Sequence, residues 1–218
     1  LDALNYACYQ GARFMVVATP SGITLAPEGG AHQSIITPLI GMGMPGLTYF
    51  EPAFVDELST VMRWGFGHMQ AEDGGAVYLR LSTRPLDQPA RTLDAADEAD
   101  IIAGAYWVRA PAPGAELAIA YVGAVAPEAI EAHRQILEDI PGAGLLAVTS
   151  PDRLHADWLA RRENSHIARL LAPLAPDAGL VTVLDGHPAT LSWLGTVRRH
   201  RVRALGVESF GQSGDIPD

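Results

Sequence analysis

The chain of 218 residues has a single cysteine, Cys8. One thiol excludes an internal disulfide framework and fits a reducing compartment. Positive charge is also scarce. Fifteen basic against 25 acidic residues leave a formal net charge of -10, and an acidic chain repels nucleic acid phosphate. The basic cluster RRHRVR, Arg198 to Arg203, sits at the end of a predicted helix. Cations suit a helix C-terminus, whereas a nucleic-acid footprint should cover a face. No apolar run is long enough to span a bilayer, and no signal peptide is visible. The expectations are therefore no nucleic acid partner, no membrane, and a cytoplasmic location. Several chemical signatures are missing as well. There is no Walker loop, no G-x-G-x-x-G after a strand and no G-x-S-x-G elbow. Cys8 falls inside a helix pattern, so covalent nucleophilic catalysis has no candidate. No His, Cys and Asp residues stand at metal-ligand spacing, and no metal site is expected.

What the chain does have is apolar surface. It is 48% hydrophobic and 18% charged, a globular composition with enough apolar residues for real cores. RFMVVATPS reads as a strand buried on both faces. GLTYFEP is a second strand, followed by a helix from Ala53 to Gln70 and the strand AVYLRLS. The texture then changes. RPLDQPARTLDAADEAD, Arg84 to Asp100, is rich in Pro, Asp and Ala and lacks apolar periodicity, as an exposed linker does. Beyond it the rhythm resumes with AYWVRAP, LAIAYVG, a helix from Pro127 to Glu138, GLLAVTS, GLVTVLD, a helix from Pro188 to Arg199, and VRALGVE. Alternating strands and helices predict an α/β protein with mostly parallel sheets, in two three-layer units. The expected division is 1–90, a linker over 91–100, and a second unit over 101–218. LDALNYACYQ begins as the inside of a helix and FGQSGDIPD ends abruptly after a strand. Both ends read as cut, and a larger protein is expected.

The stretch that asks for chemistry is LAPEGGAHQS, Leu25 to Ser34. It follows a strand, and ligands of parallel α/β sheets bind in the loops after strand ends. Gly29-Gly30 frees the backbone and admits a close neighbour. Glu28 and His32 could then share a cavity, where an imidazole can bond a substrate oxygen or move a proton near neutral pH. They could equally only tie the loop to itself, and spacing does not choose between these readings.

TPSGITLAPEGGAHQ followed by a helix, GLTYFEP, a long helix and AVYLRLS resembles the pyrimidine-binding domain of the transketolase-like thiamine diphosphate enzymes. The second part, closing in ESFGQSG, resembles their C-terminal domain. Within that superfamily the wording NYACYQ-ARFM-TPSG-TLAPEGGAHQS is similar to the homodimeric first component of bacterial pyruvate dehydrogenase complexes. The resemblance implies a fragment of an enzyme that decarboxylates pyruvate and passes the acetyl unit to a lipoyl group. The alternative is a transketolase-type transfer of two-carbon units between sugar phosphates. The turn Thr19-Pro20-Ser21 weighs against that alternative, since transketolases begin it with a phosphate-binding histidine.

The resemblance also implies roles. His32 would be catalytic, facing the thiazolium and the bound donor, and Glu28 would orient donor or histidine. Gly29 and Gly30 would wall the cofactor channel, and Gln33 would hydrogen-bond behind the histidine. The cofactors would be thiamine diphosphate and magnesium, with the magnesium ligands, the activating glutamate and the stacking aromatic outside these residues. The isolated chain should accordingly be inactive. Partners would be a second copy, with the active site between subunits, and a lipoyl-bearing acyltransferase.

Other residues have blander readings. His187 stands at a strand end and also suits a helix N-terminal turn beside Pro188. His68, His133, His155, His166 and His200 fall in polar helix-like stretches and are expected to be solvated. Trp64, Trp107, Trp158 and Trp193 should anchor cores or interfaces. The apolar run Ile35 to Gly46 reads as core, and in the resemblance it also approaches the dimer interface. Arg80, among apolar neighbours, must be paired if it is buried.

Overall fold

The computed structural model describes residues 1–19 and 21–214. Pro20, on which the sequence argument against a transketolase-type turn rests, lies outside the described residues.

The first unit is built on three parallel strands. They are β1 (Met15–Ala18), β2 (Leu47–Phe50) and β3 (Ala76–Arg80), in the order β1-β3-β2. Side chains alternate between the faces, as strand geometry requires. Tyr49 and Tyr78 point one way, with Cys8 of α1 (Asp2–Tyr9) and Met42 of α2 (Thr37–Gly43). Phe50, Val77 and Leu79 point the other way, onto Val61 of α3 (Val55–His68). The first strand corrects the sequence reading. Among the described residues β1 is an edge strand paired only with β3, and Val17 is 56% exposed. None of its four residues is fully buried, so the run is not covered on both faces as its apolar composition suggested.

The second unit is a five-stranded mixed sheet in the order β4-β6-β5-β7-β8. Its strands are β4 (Ala105–Arg109), β5 (Ala115–Val122), β6 (Gly144–Val148), β7 (Leu174–Leu184) and β8 (Arg201–Leu205). All pairs are parallel except β4 with β6. One face packs on α6 (Pro151–Arg161), α7 (His166–Leu170) and the pair α8 (Ala189–Ser192) and α9 (Gly195–Arg198), through Leu154, Ile167, Leu191 and Val197. The helix expected to run unbroken to Arg199 is thus two short helices, interrupted at Trp193-Leu194 before Gly195.

Between Arg80 and β4, the segment read as a linker over 91–100 carries helix α4 (Ala95–Ala103). The Asp94 side chain caps it by accepting from the amides of Ala96 and Asp97, and Asp97 reaches back to the Asp94 amide. Gly104, at φ 113°, ends it in the left-handed region. Its one fully buried residue is Ile101, too few to show as an apolar stripe. Upstream, the Arg91 guanidinium bonds Asp56 of α3 and the Tyr106 hydroxyl of β4, holding the segment down.

The two units share a middle core. Phe50, Phe54, Val61 and Leu79 of the first pack in one cluster with Ile101, Ile119, Tyr121 and Leu145 of the rest. That cluster also includes Ala126 and Ala129 of α5 (Ala126–Ile136). An exposed edge strand is a pairing hazard, and here the second unit covers β2. The Tyr49 amide donates to the Asp152 carboxylate at 3.2 Å, the Ser150 hydroxyl donates to the Tyr49 carbonyl at 2.5 Å, and the Glu51 amide donates to the Thr149 carbonyl at 2.8 Å.

Burial pushes the Asp152 carboxyl up from 3.8 to about 6. A carboxyl raised by folding contributes stability that is fully present below its unfolded pKa and is lost as pH rises through the folded one. Asp152→Asn keeps an acceptor for the Tyr49 amide and does not titrate. In urea midpoints measured from pH 4 to pH 7, the variant should gain on the wild type as pH rises. Parallel curves would contradict this account.

Candidate functional site

The carboxyl ends of the two sheets converge. Glu51 follows β2, Arg80 closes β3, Gly123 follows β5 and Asp185 follows β7. A Cβ built on Gly123 would fall 2.7 Å from the Glu51 side chain, so only glycine fits that junction. Strand ends of this kind form ligand-binding edges in α/β sheets. The segment Ser21–Ser34, which follows β1 in the chain, meets the same edge, where Asp185 and Arg80 bond it.

Arg80 sits at the centre and is 1% exposed. It pairs with the Glu51 carboxylate and donates to Thr37 Oγ1 at 3.0 Å, the Ser34 carbonyl at 3.3 Å and the Asp185 carbonyl at 2.6 Å. The Tyr49 hydroxyl donates to the other Glu51 oxygen. Burial raises the Glu51 carboxyl above its ordinary range, while Arg80 and Tyr49 pull it back down. The expectation that a buried Arg80 must be paired is met, and its partners lie in both units.

Asp185 is the second fixed point. Its carboxylate accepts from the amides of Gly22 at 2.9 Å, Ile23 at 2.6 Å and Thr24 at 3.1 Å, and from the Thr24 hydroxyl. These amides open the 3₁₀ segment Ile23–Glu28, where N–H groups lack partners of their own. On the far side, the Ser34 amide donates to the Ser21 carbonyl at 2.8 Å and the His187 amide to the Ile35 carbonyl at 2.9 Å.

Between these pins stand the residues singled out from the sequence. Gln33 is buried. Its Oε1 accepts from the Gly211 amide at 3.2 Å, and its Nε2 donates to the Gln212 carbonyl at 3.5 Å. The HQ loop and the Phe-Gly-Gln-Ser turn, far apart in sequence, are in contact. The two glycines make room for that turn. A Cβ on Gly30 would sit 1.9 Å from the Gly211 carbonyl oxygen, and one on Gly29, at φ 100°, 2.6 Å from Ser213 Oγ. The neighbour they admit is the chain's own 211–213 segment.

Glu28 and His32 are both exposed. Glu28 lines a cleft of about 380 Å³ with Thr24, Leu25, Pro27, Thr83, Arg84 and Pro85, and His32 is not among the residues lining it. The two are joined through the backbone, since His32 Nδ1–H donates to the Glu28 carbonyl at 3.1 Å. A carbonyl only accepts, so this bond puts the proton of a neutral ring on Nδ1 and leaves Nε2 with its lone pair. The loop thus presents an imidazole of fixed tautomer, able to accept a proton at Nε2 or, once protonated, to donate one.

No protein-family profile matches the chain. Among curated proteins it is 31% identical to the pyruvate dehydrogenase E1 component of Mycolicibacterium smegmatis, over 99% of this chain and 25% of that protein. It is also 31% identical to a 6-deoxy-6-sulfo-D-fructose transketolase subunit of Clostridium sp., over 64% of this chain and 40% of that subunit. Among solved structures, transketolase from Leishmania mexicana superposes with a TM-score of 0.74 at 19% identity, over 98% of this chain and 28% of that one. The chain shares the fold of the transketolases, and its relatives are consistent with a fragment of the transketolase-like superfamily. This transketolase-like chain spans about a quarter of the length of the pyruvate dehydrogenase relative.

The remaining histidines are not solvated as a group. His133, His166 and His200 are buried; His133 Nε2–H donates to the Ala143 carbonyl at 2.9 Å and His166 Nε2–H to the Ala105 carbonyl at 2.7 Å. The polar residues around them in the sequence hid that burial. His68 stacks on Trp64, and His155 lies against Trp193. His187 serves its turn, with Nδ1 accepting from the Ala189 amide at 3.2 Å. Asp185 was missed by the sequence reading. Its only signal was an acid directly after the apolar run GLVTVL and before a glycine.

Removing one partner of a buried ion pair leaves the other charge stranded. Arg80→Met should cost about 3–5 kcal/mol and lower the melting temperature by on the order of 10 °C. The double variant Glu51→Gln/Arg80→Met should recover part of that loss in thermal unfolding. Equal losses would mean that the stranded carboxylate is not the cause.

Proposed function

We propose that the protein carrying this chain is a thiamine diphosphate-dependent 2-oxoacid dehydrogenase component that decarboxylates pyruvate and hands the acetyl unit to a lipoyl group. The observation that carries this reading is sequence identity to a pyruvate dehydrogenase E1 component along essentially the whole chain, with His32 on a loop at the joined sheet ends.

The residues present suit only one side of that cofactor. Among the described residues no group of three or more His, Cys, Asp or Glu could hold a metal ion, and the resemblance puts the seat of the magnesium diphosphate end in another part of the protein. It would be held by residues outside this chain. The cofactor supplies the carbanion chemistry. This chain supplies the wall formed by the Leu25–Gly30 loop and the His32 imidazole, whose Nε2 can bond a substrate oxygen or move a proton. Glu28 orients donor or histidine from the same loop. The protein works as a homodimer with a lipoyl-bearing acyltransferase partner, in the cytoplasm. Among the described residues no helix is long and apolar enough to cross a membrane.

A two-carbon ketol transferase is the second reading, favoured by the sulfofructose transketolase relative and the transketolase superpositions. The two are separated with the complete polypeptide, thiamine diphosphate and magnesium. Pyruvate-dependent reduction of an artificial electron acceptor is followed beside turnover of xylulose 5-phosphate with ribose 5-phosphate. Pyruvate turnover should fall by about a hundredfold or more in His32→Ala. Activity with the sugar phosphates alone would overturn the dehydrogenase reading.

A further inference from the structure

We propose that Asp185 is a positioning residue for the His32 loop, so that the second unit sets the conformation in which the first unit presents its imidazole. This rests on the reading of the His32 loop as the site.

The bonding of Asp185 carries the inference. It is 3% exposed and stands just past β7, yet the recorded partners of its carboxylate all come from Gly22, Ile23 and Thr24. A buried carboxylate with backbone N–H donors converging on it holds them strongly, because the bonds are charge-assisted. The fit is tight. A Cβ on Gly22 would fall 2.6 Å from Asp185 Oδ1, so a larger residue there would displace the carboxylate. The acid fixes the start of the segment Ile23–Glu28, two short 3₁₀ turns joined by a kink at Leu25, and the Glu28 carbonyl at its end sets the His32 ring.

Asp185 is itself held in register. Its carbonyl accepts from Arg80 Nη2 at 2.6 Å, and the same guanidinium bonds the Ser34 carbonyl where the loop ends. Next to Asp185, the Gly186 carbonyl accepts from the Val207 amide at 2.8 Å, and His187 holds the Ile35 carbonyl. Beyond Val207, the chain reaches Gly211 and Gln212, which grip Gln33. Both ends of the loop are therefore tied to residues 185–187 and to the segment that follows β8. A shift of the second unit would move the His32 ring.

The test compares wild type with Asp185→Asn in the complete polypeptide. The variant keeps the shape but replaces one acceptor oxygen by a donor, so loop amides lose partners. Amide hydrogen exchange at residues 22–24 should quicken by about tenfold or more, while amides of β5 and β7 keep their rates. The ring resonances of His32, assigned with His32→Gln, should move towards those of a mobile surface histidine. Unchanged exchange at residues 22–24 with an unmoved His32 ring overturns the proposal. So does a uniform acceleration across both units, which would make Asp185 merely structural. If Asp185→Asn fails to fold, Thr24→Ala removes only the hydroxyl contact. It should give the same local pattern at smaller amplitude, and no change at residues 22–24 or at His32 would overturn the proposal as well. Both readouts need no substrate, so failure of the pyruvate reading leaves them intact.

Discussion

The buried guanidinium of Arg80 organises the meeting point of the two sheets. Burying a charge is expensive unless its donors are used, and Arg80 spends its fork on Glu51, Thr37, Ser34 and the Asp185 carbonyl. Those groups belong to a β2 terminus, helix α2, the end of the candidate loop and a β7 terminus. A lysine could offer no such planar spread of donors. The geometry of one side chain thus fixes how close the strand ends stand and where the loop between β1 and α2 must finish.

The rest of the junction follows from the same economy of polar groups. Edge strand β2 finds its backbone partners in the Thr149–Asp152 turn of the other unit. The amides of Gly22 to Thr24 find theirs in Asp185. Apolar burial between the units, from Phe50 and Leu79 to Ile119 and Tyr121, supplies the non-directional part of the attraction. The hydrogen bonds supply the register. An imidazole presented from this junction inherits its precision, although His32 itself is exposed.

Much of this was legible in the residues. The strands of both sheets were readable from short apolar runs bounded by Gly and Pro, α3 from its spacing, and α5 from its opening proline and the Pro-Gly turn after it. The loop Leu25–Ser34 was found by its composition, and the pairing of Arg80 by the cost of leaving it alone. Most of what escaped depends on packing and on neighbours that a local pattern does not show. The run Met15–Ala18 is apolar, but its neighbours decide whether it is central or at the edge. Helix α4 rests on caps and one buried isoleucine rather than on a stripe. His133 and His166 are buried because a carbonyl waits for each ring, at Ala143 and Ala105. Gly29-Gly30 announced a close approach without saying that Gly211 and Ser213 would be the visitors.

By itself the sequence determined the α/β alternation, the parallel tendency of the sheets and the candidate loop, because these depend on local periodicity and on short motifs. Only the tertiary structure decided that Asp185 and Arg80 would clasp that loop, that Gln33 would be buried against the Phe-Gly-Gln-Ser turn, and that Glu28 would meet His32 through a carbonyl. The contacts of Asp185 with Gly22 and Arg80, and of Gln33 with Gly211, join residues more than a hundred positions apart, and the short Glu28–His32 contact belongs to the loop they hold. Such partners are chosen by how two sheets pack, which no stretch of the chain encodes alone.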